Sequence, residues 1–454
     1  MEYHIVSMLV ALLAAGAAAC SDDDGGFVTG DGGPDADADT DADADVDADA
    51  DTDADSDTDT GEDETPPDLP QDCSELSVNQ PASGEEDGRW PALAHGDGTT
   101  LMTWAYDEQQ QTPDWDIQVA GFDPGQEPPV GTPLEPASDT VLAEMPIIAA
   151  RQSDWGLVWL DARWDSTCQA DAPDDCRREL AFLGVDATGQ PVGSSDPVQL
   201  TLDEDVNGRP TIAATESGYL LAWTDSYGSS ATVRALALDA DGNPGQVRDI
   251  SGEYEAAPDR RAWVASRGQS GMVAWLTVSQ REIAVRKIGS DGALQAEKTL
   301  VVDGDTLCQR PRLSAGADGY LLVWAERPHE DFEIFAMPLD ADGDPAGDAR
   351  RVTYTTNDVS HAVPAWNGSE WAVAWLSIKA NGAQECAQSS CRDQVFATVL
   401  DAEGAPRSAP VTLSDNPNTC SELELAWDGS AWTAVWELRR NMRQQAFFGR
   451  FECN

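Results

Sequence analysis

Basic residues are scarce in this chain. Lys and Arg number 27 against 83 Asp and Glu, a formal net charge of −56 over 454 residues. So acidic a surface repels the phosphates of nucleic acid, which excludes a nucleic-acid partner. Histidine is rarer still. Past residue 4 only His95, His329 and His361 occur, and they form no HExxH zinc motif. His329, followed by Glu-Asp-Phe-Glu, reads as a solvated loop residue. No two cysteines stand in CxxC spacing, so zinc ribbons and thioredoxin-type sites are excluded. A GxSxG nucleophile elbow, a Walker loop and a GxGxxG turn are all missing. Past the N-terminus no apolar run is long enough to span a bilayer as a helix, and none keeps a helical period for three turns.

What is present begins with a run of apolar and small residues, Ile5 to Ala19, ending at Cys20. It is too short to span a bilayer and suits a signal sequence. Gly16-Ala17-Ala18-Ala19-Cys20 resembles a bacterial lipobox, which implies that the Cys20 thiol is lipidated. The n-region lacks Lys and Arg, and Ala17 stands where Leu is commoner. Residues 1–20 are therefore read as a lipoprotein signal peptide. Residues 21–72 hold 22 acids and no Lys or Arg, and every second residue from Asp35 to Asp59 is Asp. Such a segment cannot bury enough surface to offset its ordering entropy. It is expected to be a disordered, self-repelling tether with a reach on the order of 170 Å.

The rest, residues 73–454, is organised by tryptophan. Trp104, Trp159, Trp223, Trp275, Trp324, Trp375 and Trp436 each close a short apolar run, 49 to 64 residues apart. Each copy shows an apolar strand, sometimes opened by Arg-Pro, then a turn such as Asp97-Gly98 or Asn367-Gly368. The tryptophan strand follows, then an alternating strand, a DxxG turn and a weaker fourth strand. Four antiparallel strands repeated about seven times predict an all-β fold, a single β-propeller of seven blades. The seventh unit stops after three strands, and Ser74-Glu75-Leu76-Ser77 matches the missing fourth. The ring is therefore expected to close through this N-terminal strand, which removes an open sheet edge.

Export makes the remaining eight cysteines candidates for disulfides. Proximity suggests Cys168 with Cys176 and Cys386 with Cys391. Cys73 and Cys453 flank the two strands expected to meet, and elimination leaves Cys308 with Cys420.

The units resemble a bacterial extracellular repeat family with a W-x-D-x-R start. The likeness is best at Trp159-Leu160-Asp161-Ala162-Arg163, at Trp223-Thr224-Asp225, and at Asp331-Phe332-Glu333-Ile334-Phe335. Thr277 and Ser377 depart from it, standing where an acid is expected. The Asp-Ala segment after a lipobox also resembles exported proteins of myxobacteria. These resemblances imply a propeller at the cell surface and no particular activity.

Asp107, Asp161, Asp225 and Glu326 follow the anchors and would form a ring on one face. Two carboxylates about 5–9 Å apart could hydrolyse a glycoside, but a repeated position is usually structural, for instance an acid paired with Arg163 or Arg327. Asp340-Ala341-Asp342-Gly343-Asp344 resembles half a calcium loop, although a hairpin turn explains it better. Trp115 and Trp164 fall in loops after the anchors and are candidate ligand contacts. No catalytic residue, metal ligand or cofactor is assigned, calcium being the one cofactor considered.

The leading expectation is a monomeric, non-catalytic binding or scaffold module, lipid-anchored to the cell envelope at the outer membrane. Its partner would be an envelope protein or glycan, reached through loops near Thr112, 168–176 and 386–391. The alternatives are a carbohydrate-active hydrolase using paired carboxylates and a calcium-stabilised structural protein.

Overall fold

The computed structural model describes residues 66–453 apart from 83–87, 108–114, 123–133, 138–141, 169–175, 203–207, 228–229, 253–254, 258–260, 296–298, 305, 356, 381–390, 415–419 and 441–442. The expected signal peptide and all but the end of the expected tether lie outside the described residues.

The alternating pattern folds as read. After β1 (Cys73–Pro81), the first blade is β2 (Gly88–Gly96), β3 (Thr99–Asp107), β4 (Trp115–Phe122) and β5 (Leu134–Ala137). The second is β6 (Ala143–Arg151), β7 (Asp154–Asp161), β8 (Glu179–Asp186) and β9 (Val198–Gln199). The third is β10 (Thr211–Ala214), β11 (Gly218–Tyr227), β12 (Ser230–Asp239) and β13 (Arg248–Asp249). The fourth is β14 (Trp263–Arg267), β15 (Ser270–Leu276), β16 (Glu282–Gly289) and β17 (Thr299–Asp303). The fifth is β18 (Leu307–Ala315), β19 (Tyr320–Arg327), β20 (Glu333–Leu339) and β21 (Arg350–Arg351). The sixth is β22 (Val359–Trp366), β23 (Trp371–Ala380), β24 (Cys391–Leu400) and β25 (Val411–Thr412). The last three strands are β26 (Cys420–Trp427), β27 (Trp432–Arg440) and β28 (Arg443–Cys453).

Each blade is a four-stranded antiparallel meander, and the seventh takes β1 as its outer strand beside β28. The structure is therefore an all-β, seven-bladed propeller closed by an N-terminal strand. The first strands of the blades contact one another in sequence, β2 to β6 and onward through β26 back to β2, and so line the axis. The anchor tryptophans sit on second strands and are buried, with Trp159, Trp223, Trp275 and Trp436 fully excluded from solvent. They fill the wedge between neighbouring blades, where an indole supplies the largest apolar surface available to one side chain.

Cys73 stands opposite Cys453 and is bridged to it, 380 residues apart in sequence. A cross-link closing so long a loop removes much denatured-state entropy. Cys168 and Cys176 are also bridged. Such disulfides are those of an exported protein. Among the described residues no helix is long and apolar enough to cross a membrane. The packed chain begins slightly before Cys73, since the Pro70 carbonyl accepts from the Ala409 amide at 2.8 Å.

One expected bridge is corrected. Cys308 is a buried free thiol in β18, two blades from Cys420 in β26, with its Sγ near the Arg281 and Thr306 carbonyls. Burial pushes this thiol up to about 12, leaving it unreactive. The Cys386–Cys391 pair lies outside the described residues.

Candidate functional site at one mouth of the central channel

The acids after the anchors prove structural. The Trp159 indole N–H donates to Asp161 at 2.7 Å, and Arg163 donates to the same carboxylate from its backbone at 2.8 Å and from Nε at 2.9 Å. Trp223 donates to Asp225 at 2.8 Å, and Trp324 to Glu326 at 2.8 Å. The acid two residues on thus satisfies an indole N–H that the core buries. Asp161→Asn is expected to cost on the order of 2–3 kcal/mol of unfolding free energy in a urea titration. An unchanged midpoint would overturn this role. The Asp107 side chain lies outside the described residues.

The two loop tryptophans differ from expectation. Trp115 belongs to β4, because an alternating strand follows it. It is half-buried with its ring 5.7 Å from that of Trp90. Trp164 is likewise half-buried against the core, under the Arg163 guanidinium at 5.7 Å. Trp115 thus lies in a strand, whereas Trp164 stands in the turn after β7. His329 is exposed. The Asp340 carboxylate is committed to the turn, accepting from the Asp342 and Asp344 amides at 2.8 and 3.0 Å. Asp239 and Asp401 do the same in their own turns.

The channel holds what the repeat does not explain. The first strands of five blades carry a β-bulge near their start, with positive φ at Trp90, Met145, Arg310, His361 and Glu422. Alignment on the residue preceding each anchor puts Arg209 and Arg261 at the same position in the other two blades. A bulge re-aims its side chain, and the five bulged residues with Arg209 and Arg261 form a ring of seven at one mouth. Four of the seven are charged.

These charges meet across the axis. Arg209, in the third blade, is ion-paired with Glu422 in the seventh. Arg261, in the fourth, lies 3.4 Å from Glu424, and Arg312, in the fifth, 3.1 Å from the same carboxylate. Arg261 also donates to the Pro210 carbonyl at 3.1 Å, and Arg312 to that of Leu423 at 2.9 Å. The Trp263 indole lies between two guanidinium groups, 4.6 Å from that of Arg261 and 4.4 Å from that of Arg312. Three guanidiniums thus share two carboxylates. Burial pulls Arg261 down to about 9, and the repulsion of Arg209 and Arg312 adds to the pull against the attraction of Glu424. Burial, which penalises the charged form, is the larger cause, and the neighbouring guanidiniums are the smaller.

Glu437 completes the cluster. It is one residue past Trp436, where the other units carry Ala105, Leu160, Thr224, Leu276, Ala325 and Leu376. Side chains alternate along a strand, so an acid moved by one position points to the opposite face. The Trp436 indole N–H is consequently buried with no acceptor. Glu437 instead faces the first blade, where its Oε2 accepts from the Trp90 amide at 3.2 Å and its Oε1 lies 4.0 Å from Arg89 Nε. Burial pushes its carboxyl up to about 7. Arg89 opposes the shift and Glu422 reinforces it. Sequence reasoning missed Glu437 and the arginines. The signals that could have found them are the displaced acid in the last unit and the recurring Arg-Pro at first-strand openings.

No family model matches this chain, and no curated protein does. Solved structures similar in shape include a GH43_1 enzyme from Xanthomonas citri complexed with xylotriose. It is 15% identical, the match covers 63% of this chain and 96% of that one, and the TM-score is 0.34. A sialidase of Trypanosoma rangeli in complex with 2,3-difluorosialic acid is 10% identical over 84% of this chain and 59% of that one, with TM-score 0.40. A subtype N10 neuraminidase-like protein from a little yellow-shouldered bat is 8% identical over 84% and 99%, with TM-score 0.42. At such identities the likeness extends to the propeller fold alone. The expectation of a non-catalytic binding or scaffold module is not carried forward; the solved propellers similar in shape are a glycoside hydrolase, a sialidase and a neuraminidase-like protein.

Proposed function

We propose that the protein is a carbohydrate-active hydrolase that cleaves glycosides of acidic sugars at the Arg-rich mouth of the channel. The observation that carries this reading is Glu437, a buried carboxyl pushed up to about 7, with Glu422 and the cluster of Arg209, Arg261 and Arg312 near it. A carboxyl raised in this way suits the general acid of glycoside cleavage, with a second carboxylate as the general base. The clustered guanidiniums of Arg209, Arg261 and Arg312 attract the carboxylate of an acidic sugar. Glu437 passes its proton to the glycosidic oxygen as the bond to the anomeric carbon breaks. Water adds to that carbon, and Glu422 takes the proton the water loses.

The test is release of a fluorescent aglycone from uronic-acid and nonulosonic-acid glycosides by the full chain. Neutral hexosides serve as the comparison. Turnover confined to the acidic glycosides supports the reading, and none with any acidic glycoside sinks it. In the same proposal Cys20 carries the lipid and residues 21–72 hold the enzyme clear of the envelope. Labelled palmitate is expected to enter the protein in cells and to be lost in Cys20→Ala. Labelling that persists in that variant would remove the anchor.

A further inference from the structure

Five residues beyond the bulge ring, each first strand reaches the other mouth, about 16 Å away at the usual rise of a strand. There the aligned positions are His95, Ala150, Ala214, Ser266, Ala315, Trp366 and Trp427. Three successive blades, the sixth, seventh and first, thus bring two indoles and an imidazole together. The others contribute small side chains. A cavity of about 250 Å³ opens at this place, lined by His95, Ser314, Ala315, Trp366 and Trp427 with backing from Pro364 and Leu425. None of its lining residues is an acid or a strong base.

The geometry points to a second binding site at this mouth, for a neutral pyranose unit. Both indoles are half-buried, with one part open to the cavity, and fixed from behind. Trp366 lies 4.6 Å from buried Trp371, and Trp427 lies 5.1 Å from buried Trp432. Rigid aromatic faces of this kind cover the C–H face of a sugar at little cost in conformational entropy. The volume is just under the ~300 Å³ floor of drug-sized sites and suits one ring-sized unit.

The polar groups at the edge decide between a sugar and a quaternary ammonium ion. His95 Nδ1 is engaged by the Thr100 hydroxyl at 2.8 Å. That leaves Nε2 as the outward edge, a donor or an acceptor according to the tautomer. Gly429 keeps this edge clear, because a Cβ there would lie 3.1 Å from Nε2 and Cε1. Ser314 adds a hydroxyl. A sugar hydroxyl can answer either tautomer, whereas a quaternary ammonium can answer neither. The cavity also lacks the carboxylate that would favour a cation. The cross-axis ion pairs of the opposite mouth separate the two sites, so this one stands without the hydrolytic reading.

The test is titration of the full chain with methyl glycosides of glucose, galactose, mannose and N-acetylglucosamine by saturation-transfer NMR and calorimetry. Tetramethylammonium is titrated alongside. At least one glycoside is expected to bind with a millimolar dissociation constant. Affinity is expected to fall tenfold or more in Trp366→Ala and Trp427→Ala. Ala315→Trp, which fills the cavity without removing an aromatic, is expected to abolish binding and guards against a variant that fails to fold. Hydrolysis of acidic glycosides at the far mouth is read separately, and its presence or absence does not bear on this outcome. The inference is overturned if no glycoside binds, if binding survives Ala315→Trp, or if tetramethylammonium binds the cavity as tightly as the best glycoside.

Discussion

Glu437→Gln is expected to slow turnover of acidic glycosides by ~10²–10⁴-fold, the usual contribution of a positioned general acid. The amide keeps the shape and the hydrogen bond from Trp90 but holds no transferable proton. Rate and stability are expected to move in opposite directions. In the native protein the carboxyl titrates near 7, above its ordinary value of 4.5. Between those two pH values the folded state holds a proton that the unfolded state has released. Its contribution to stability is therefore complete below about pH 4.5 and lost as pH rises through 7. Above pH 7 an ionised Glu437 costs on the order of 3 kcal/mol. Glu437→Gln escapes that cost, so urea midpoints should be higher than the parent's at pH 8 and equal to it at pH 4.5. Wild-type turnover should itself decline above pH 7 as the donor ionises. A variant that hydrolyses at the parental rate would remove Glu437 from the chemistry. A variant with no gain at pH 8 would mean that its carboxyl is not buried in the ionised state.

Glu424→Gln is expected to give the largest loss of stability, about 3–5 kcal/mol. One carboxylate answers two guanidiniums, Arg261 at 3.4 Å and Arg312 at 3.1 Å. Removing its charge leaves both cations buried in mutual repulsion, beside Arg209. The companion variant Glu424→Gln with Arg312→Met should recover part of the loss, because it removes one of the two stranded charges. Urea unfolding of the two single variants and the double variant gives the coupling directly. Additive losses would mean that the two side chains do not share a charge network, despite their spacing.

The propeller was legible in the sequence because its signals repeat. A tryptophan every 49 to 64 residues and a turn before each anchor strand survive in nearly every unit. The missing fourth strand of the seventh blade could be found at the other end of the chain. The Cys73–Cys453 bridge followed from that order, and the Cys168–Cys176 bridge from the nearness of the two residues in sequence. The site was hidden for the complementary reason. Asp161, Asp225 and Glu326 attracted notice because they recur, yet recurrence marks what every blade needs, an acceptor for a buried indole. Glu437 does not recur. Its meaning lies in the one-residue offset that turns it away from Trp436, and a pattern averaged over seven copies erases such an offset. Arg209, Arg261 and Arg312 lie about 50 residues apart in sequence and meet Glu422 and Glu424 only when the ring closes. Trp115 was misplaced because residues 108–114 blur where the third strand of its blade begins.

The Cys73–Cys453 bridge sits at the first residue of β1, where the chain arriving from the N-terminus enters the sheet. Any pull transmitted along that chain reaches a covalent bond before it reaches the hydrogen bonds between β1 and β28. Without the bridge, tension would shear or peel the closing strand and open the ring at its weakest seam. With it, the load passes directly to Cys453 at the end of β28, and a pull on the chain before Cys73 leaves the closing strand in its place.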